Sequence, residues 1–109
     1  MPHESSRFGL TQNELLKITK VLQTFPEVDR GMIFGSRALG TFKQGSDIDI
    51  ALFGKDLSDI ITQISYQLNY ETTLPYFFDL VNYNEISHPE LKDHIDRVGL
   101  LFYSKISFS

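Results

Sequence analysis

Apolar positions recur along this chain with two different spacings. Leu15, Ile18, Leu22 and Phe25 follow one another at helical intervals. Thr11 and Glu14 stand before them as a T-x-x-E capping pair, and Pro26 closes the run. Val28 to Phe34 reads as a strand ending at Gly35, and Ser36 to Leu39 as a short helical turn. Thr41 to Gly45 is a loop. Ile48 to Phe53 is a second strand. Leu57, Ile60, Ile61, Ile64 and Leu68 form a second apolar stripe, which predicts one helix over about 57–70. Phe77 to Asn82 is a third strand. Ser87 and Glu90 form another capping pair, with Pro89 in the first turn, for a helix that buries Leu91, Ile95 and Val98 and stops at Gly99. Leu100 to Ser104 adds a last short strand.

Strands alternating with helices predict an α/β (α+β) architecture of two layers, a sheet covered by helices. With 109 residues there is room for one domain. The expected division is a flexible lead over residues 1–10 and a single folded domain over 11–109.

The acids between the first and third strands carry the chemistry. Asp47 and Asp49 are two residues apart at the head of a strand, so both point to one face while Ile48, Ile50 and Leu52 point to the other. Two carboxylates on one face repel unless a cation lies between them, and their hard oxygens suit Mg²⁺ or Mn²⁺. Asp79 interrupts the apolar run Phe77-Phe78-Asp79-Leu80-Val81. An ionised aspartate is costly to bury there. It is either a third carboxylate at the metal, accepting the proton of an attacking hydroxyl, or a solvated strand end.

The strand that runs into Gly35-Ser36 and a helical turn presents backbone amides to an anion. Gly35 allows close approach of a phosphate, and Ser36 can add its hydroxyl. Arg37 is a further phosphate contact or a surface arginine. Ser46 binds phosphate or only shapes the turn.

Each piece is commonplace alone; together they form a pattern. The run GSRALGTFKQGSDIDIAL over 35–52, the later strand FFDLV and the tail VGLLFYS resemble the nucleotidyltransferases of the DNA polymerase β superfamily, and within it the minimal nucleotidyltransferase (MNT) family. The resemblance extends over about residues 12–104. It implies a mixed sheet with helices packed mainly on one face. It implies Asp47, Asp49 and Asp79 as catalytic and metal-binding residues, Gly35 and Ser36 as nucleotide contacts, beside which Arg37 and Ser46 stand as further candidates from the residues themselves, and ATP as substrate. One departure is Leu39, where many relatives carry a basic or small polar residue.

Larger relatives hold the acceptor on extra domains, and 109 residues leave no room for one, so the acceptor is expected on another molecule. MNT proteins resemble the antitoxin half of modules whose toxin is a helical HEPN ribonuclease. The resemblance implies binding of such a toxin and transfer of AMP from ATP to a toxin tyrosine. Two other readings stand beside it: an antitoxin that acts by contact alone, and a transferase for a small molecule or an RNA end.

Composition narrows the field. Net charge is −4 without a basic cluster, which argues against direct nucleic-acid binding. There are no cysteines, which excludes disulfides and thiolate chemistry and fits a cytoplasmic protein. No apolar run reaches the ~20 residues of a membrane span. The late aromatics Tyr66, Tyr70, Tyr76, Tyr83, Phe102, Tyr103 and Phe108 are many for a small core, and exposed ones among them would favour a protein interface. His3 falls in the lead, His88 at a helix start, and His94 on the solvent side of its helix. None is assigned a metal.

Overall fold

The computed structural model describes residues 7–105. A four-stranded sheet runs in the order β3-β2-β1-β4. Its strands are β1 (Val28–Phe34), β2 (Ile48–Gly54), β3 (Phe78–Asn82) and β4 (Leu100–Ser104). β1 pairs antiparallel with both β2 and β4, whereas β2 and β3 are parallel, so the sheet is mixed.

Helix α1 (Gln12–Gln23) starts where its capping pair places it. The Thr11 hydroxyl accepts the Glu14 amide at 3.0 Å, and the Glu14 carboxylate accepts the Thr11 amide at 3.0 Å. Ile18 and Leu22 are fully buried under the sheet. They join Ile33, Ile48, Ile50, Leu52 and Phe78 in the main core.

The expected helix over 57–70 is not continuous. A 3₁₀ turn (Leu57–Asp59) leads into α3 (Ile61–Tyr66), which widens into a π turn (Gln67–Glu71). Leu57, Ile64 and Leu68 still face the core, so the stripe is real while the backbone departs from one period. Two anchors accompany the wide turn. The Thr72 hydroxyl donates back to the Leu68 carbonyl at 2.8 Å. The Asn69 side chain holds Phe78 at both backbone groups, accepting its N–H at 2.7 Å and donating to its carbonyl at 3.1 Å.

The opposite sheet face carries α4 (Pro89–Val98), whose Ile95 packs on Phe34 and Ala51. Ser87 does not cap it. His88 is the residue before the first turn, with Pro89 at the first position, and no side chain caps the end. Starting there, the helix leaves Ser87 one residue outside the capping position. Gly99 ends the helix with its N–H on the Ile95 carbonyl at 2.9 Å, and a Cβ there would meet that carbonyl at 2.6 Å.

The lead over 1–10 divides. Residues 1–6, with His3, lie outside the described residues, as does Phe108. Arg7 and Leu10 exchange two backbone hydrogen bonds at 3.1 and 2.8 Å, and Leu10 is fully buried in the main core. These four residues are folded because a leucine side chain anchors them.

Candidate functional site

Strand alternation delivers the acids to the α4 side. Ile48, Ile50 and Leu52 fill the main core, and Ala51 packs beneath Ile95 on the other face, so Asp47 and Asp49 share that second face. The parallel register sets Asp49 beside Asp79 and Ile48 beside Phe78. In-register neighbours point the same way, so Asp79 joins them. Phe78 is buried below while Asp79 and Asp47 are exposed above.

β1 delivers the second half. Phe34 lies opposite Asp49 in the antiparallel register, and the next residue, Gly35, opens α2 (Gly35–Leu39). Gly35 has φ +73°, and a Cβ built on it would come within 2.3 Å of Asp49 Oδ2. Only glycine admits both the backbone angle and the carboxylate. The Gly-Ser turn and the acid are therefore in direct contact. α2 closes on the Ser36 carbonyl, which accepts the Thr41 amide at 3.0 Å, with Gly40 in the left-handed region.

The electrostatics follow from this crowding. Burial raises the Asp49 pKa above its ordinary value, and the charges of Asp79 and then Asp47 push the same way, while His94 opposes them only in its charged form. The three acids share a face without converging: among the described residues no three acid or imidazole side chains are spaced to hold a metal ion. The donor set is chemically suited to one. All its oxygens are hard carboxylate donors, and the repulsion at Asp49 is the kind a divalent cation relieves.

Arg37 is not a surface arginine. It is 3% exposed, on the inner side of α2. Its guanidinium donates to the Phe8 carbonyl at 2.9 Å and to the Ser46 carbonyl at 2.8 and 3.2 Å, and lies about 5 Å from the Phe42 and Tyr76 rings. It thus ties the N-terminal turn to the loop that carries Asp47. Ser46 shapes that loop: its hydroxyl accepts the Lys43 amide at 2.8 Å, and its own amide donates to the Lys43 carbonyl at 3.0 Å.

His94 was expected on the solvent side of α4, and the structure places it at the site. Its Nε2 accepts the Gly35 amide at 3.1 Å, and its ring meets Phe34 edge-on at 6.0 Å. The missed signal was spacing: His94 stands three residues after Leu91 and next to Ile95, on the flank of the buried stripe. The late aromatics divide. Tyr103 is buried and Tyr76, Tyr83 and Phe102 are half-buried, whereas Tyr66, Tyr70 and Phe77 are exposed.

Residues 16–107 match the polymerase beta nucleotidyltransferase family. A Methanocaldococcus jannaschii protein that carries the name protein adenylyltransferase is 44% identical over 71 residues, covering 62% of this chain and 72% of that one. A toxin–antitoxin structure with AMP-PNP superposes with a TM-score of 0.69 at 29% identity, over 83% of this chain and 73% of that chain. The complex of a tri-AMPylated Shewanella oneidensis HEPN toxin with its MNT antitoxin superposes with a TM-score of 0.65 at 26% identity, over 85% and 71%.

Proposed function

The chain belongs to the polymerase β nucleotidyltransferase family, and from that premise we propose that it is an MNT-type antitoxin that transfers AMP from ATP to a hydroxyl of a HEPN-type partner protein. The observation that carries the proposal is the contact of Gly35 with Asp49, with Asp79 in register beside it. It joins a phosphate-binding turn to a carboxylate cluster on one face. The toxin–antitoxin structures with AMP-PNP and with an AMPylated toxin support the nucleotide and the acceptor.

In this reading the Gly35-Ser36 turn and the Ser36 hydroxyl receive the triphosphate. Asp47, Asp49 and Asp79 would hold Mg²⁺ or Mn²⁺, which when bound offsets the charge of the phosphates and of the acids themselves. Asp79, exposed at the edge of the sheet, accepts the proton of the acceptor hydroxyl. The hydroxyl oxygen bonds to the α-phosphorus as the bond from that phosphorus to the departing pyrophosphate breaks. Arg37 and Ser46 serve by fixing the loop that carries Asp47, not by touching phosphate. The exposed Tyr66, Tyr70 and Phe77 suit a protein partner in place of a small acceptor.

The test is the intact mass of a co-expressed HEPN partner after incubation with ATP and Mg²⁺, with wild-type protein and with Asp47→Ala/Asp49→Ala. Addition of one or more AMP groups by wild type alone is the expected result. A stable complex without added mass overturns the transfer and leaves an antitoxin that acts by contact. Modification of free nucleotide, small molecule or RNA without any protein partner overturns the acceptor class.

A further inference from the structure

His94 lies outside every motif, yet it is the residue of α4 that reaches the Gly-Ser turn. Ile95 and Leu91 seat α4 on Phe34 and Ala51, and His94, beside Ile95, projects from the same flank toward the site. There the imidazole accepts the Gly35 N–H at 3.1 Å while its ring packs edge-on against Phe34. An imidazole nitrogen that accepts a hydrogen bond carries no proton, so this bond belongs to the neutral ring.

The bond acts on the peptide that matters most for the turn. Gly35 sits at φ +73°, an orientation in which no Cβ fits against Asp49 Oδ2. α2 has no side-chain cap at its start, since Phe34 occupies the cap position without a side-chain hydrogen bond. The His94 Nε2 satisfies the first of the amides that the start of a helix leaves without an intrahelical partner. It does so from a separate helix, so the position of α4 is coupled to the orientation of the Phe34–Gly35 peptide.

We propose that His94 is a positioning residue for nucleotide: by holding the Gly35 amide it sets the Gly35-Ser36 turn against Asp49 in the geometry that receives the triphosphate. The inference rests on the nucleotide-site reading given above. It differs from a packing role in what it requires, which is an acceptor atom at this position and not merely a ring of this size.

Three variants separate these roles. His94→Phe keeps the ring and removes the acceptor, His94→Gln keeps a side-chain acceptor, and His94→Ala replaces His94→Phe in the comparison if the larger ring prevents folding. Folding is checked by melting temperature, and binding is measured by calorimetry with Mg²⁺ and AMP-PNP. Loss of one hydrogen bond predicts about tenfold weaker binding for His94→Phe, with His94→Gln recovering most of it. Amide exchange at Gly35 is expected to accelerate in His94→Phe and to stay slow in His94→Gln. Binding by His94→Phe equal to wild type overturns the inference while leaving the nucleotide site intact. Equal loss in His94→Phe and His94→Gln also overturns it, because packing then accounts for the effect. Absence of AMP-PNP binding by wild type overturns the nucleotide-site reading itself, and the inference with it.

Discussion

Asp49 and Asp79 stand side by side across the parallel β2–β3 pair, two carboxylates in register on one face. The arrangement works against folding whenever both are ionised. Burial and the neighbouring acids raise the Asp49 pKa in the folded protein above its ordinary 3.8. Below the ordinary value Asp49 is protonated in both states and carries no penalty. As pH rises past it the unfolded chain ionises first, so stability falls until the folded value is passed and then stays lower. Asp49→Asn is therefore expected to melt higher than wild type at neutral pH and no higher near pH 3. Transfer of AMP should fall by about two orders of magnitude or more in the same variant. Melting curves at the two pH values and a transfer assay check both halves.

Mg²⁺ together with AMP-PNP should raise the wild-type melting temperature more than either alone, since charge and counter-charge enter the site together. Asp47→Ala/Asp49→Ala should show no such shift. A nucleotide-dependent shift that survives in the double variant would place nucleotide elsewhere.

Gly35→Ala should lose both stability and transfer. Its Cβ would overlap Asp49 Oδ2, and the backbone angle disfavours any side chain. The strain is on the order of 1–3 kcal/mol unless Asp49 moves aside. Movement of Asp49 would recover stability and not activity, so urea unfolding and AMP transfer measured together distinguish the two responses.

Arg37→Ala should cost about 2–4 kcal/mol, because it leaves the Phe8 and Ser46 carbonyls without their charged donor and opens space between Phe42 and Tyr76. Arg37→Lys should recover little, since one ammonium cannot reach both carbonyls with the fork of a guanidinium. Chemical denaturation measures this directly. Nucleotide affinity in variants that remain folded should change far less than in Gly35→Ala.

Leu10→Ala should cost about 2–5 kcal/mol, the range for a leucine truncated in a core. A loss near zero would mean that the turn over residues 7–10 contributes nothing to the fold.

The strands and the acid face were legible in the sequence because alternation and short-range spacing decide them. Val28–Phe34 and Leu100–Ser104 fall where the apolar runs placed them, and the Thr11–Glu14 cap forms as written. Most of what was not legible depends on contacts between separate segments, and one part, the start of α4, on the choice between the adjacent Ser87 and His88. Ser87 reads as a cap until Pro89 fixes where α4 begins. Residues 57–70 read as one helix because the stripe is continuous, while the backbone yields to the anchoring of Asn69 on Phe78, a contact nine residues away. Local pattern alone puts His94 toward solvent and leaves Arg37 either on phosphate or on the surface. Their partners, Phe8 and Ser46 for one and Gly35 for the other, lie on segments that only the tertiary fold brings near.

The hold of Asn69 on Phe78 has a consequence for how copies of this protein meet. β3 is an outermost strand, and the outer N–H and carbonyl of such a strand invite another chain to extend the sheet. At Phe78 both groups already answer to one side-chain amide, which imitates the backbone of a neighbouring strand. The wide turn after α3 thus places a plug at the start of this open border, beside the exposed Phe77. Removing the amide would leave an unpaired, partly apolar rim, the kind of surface from which self-association into extended sheets begins.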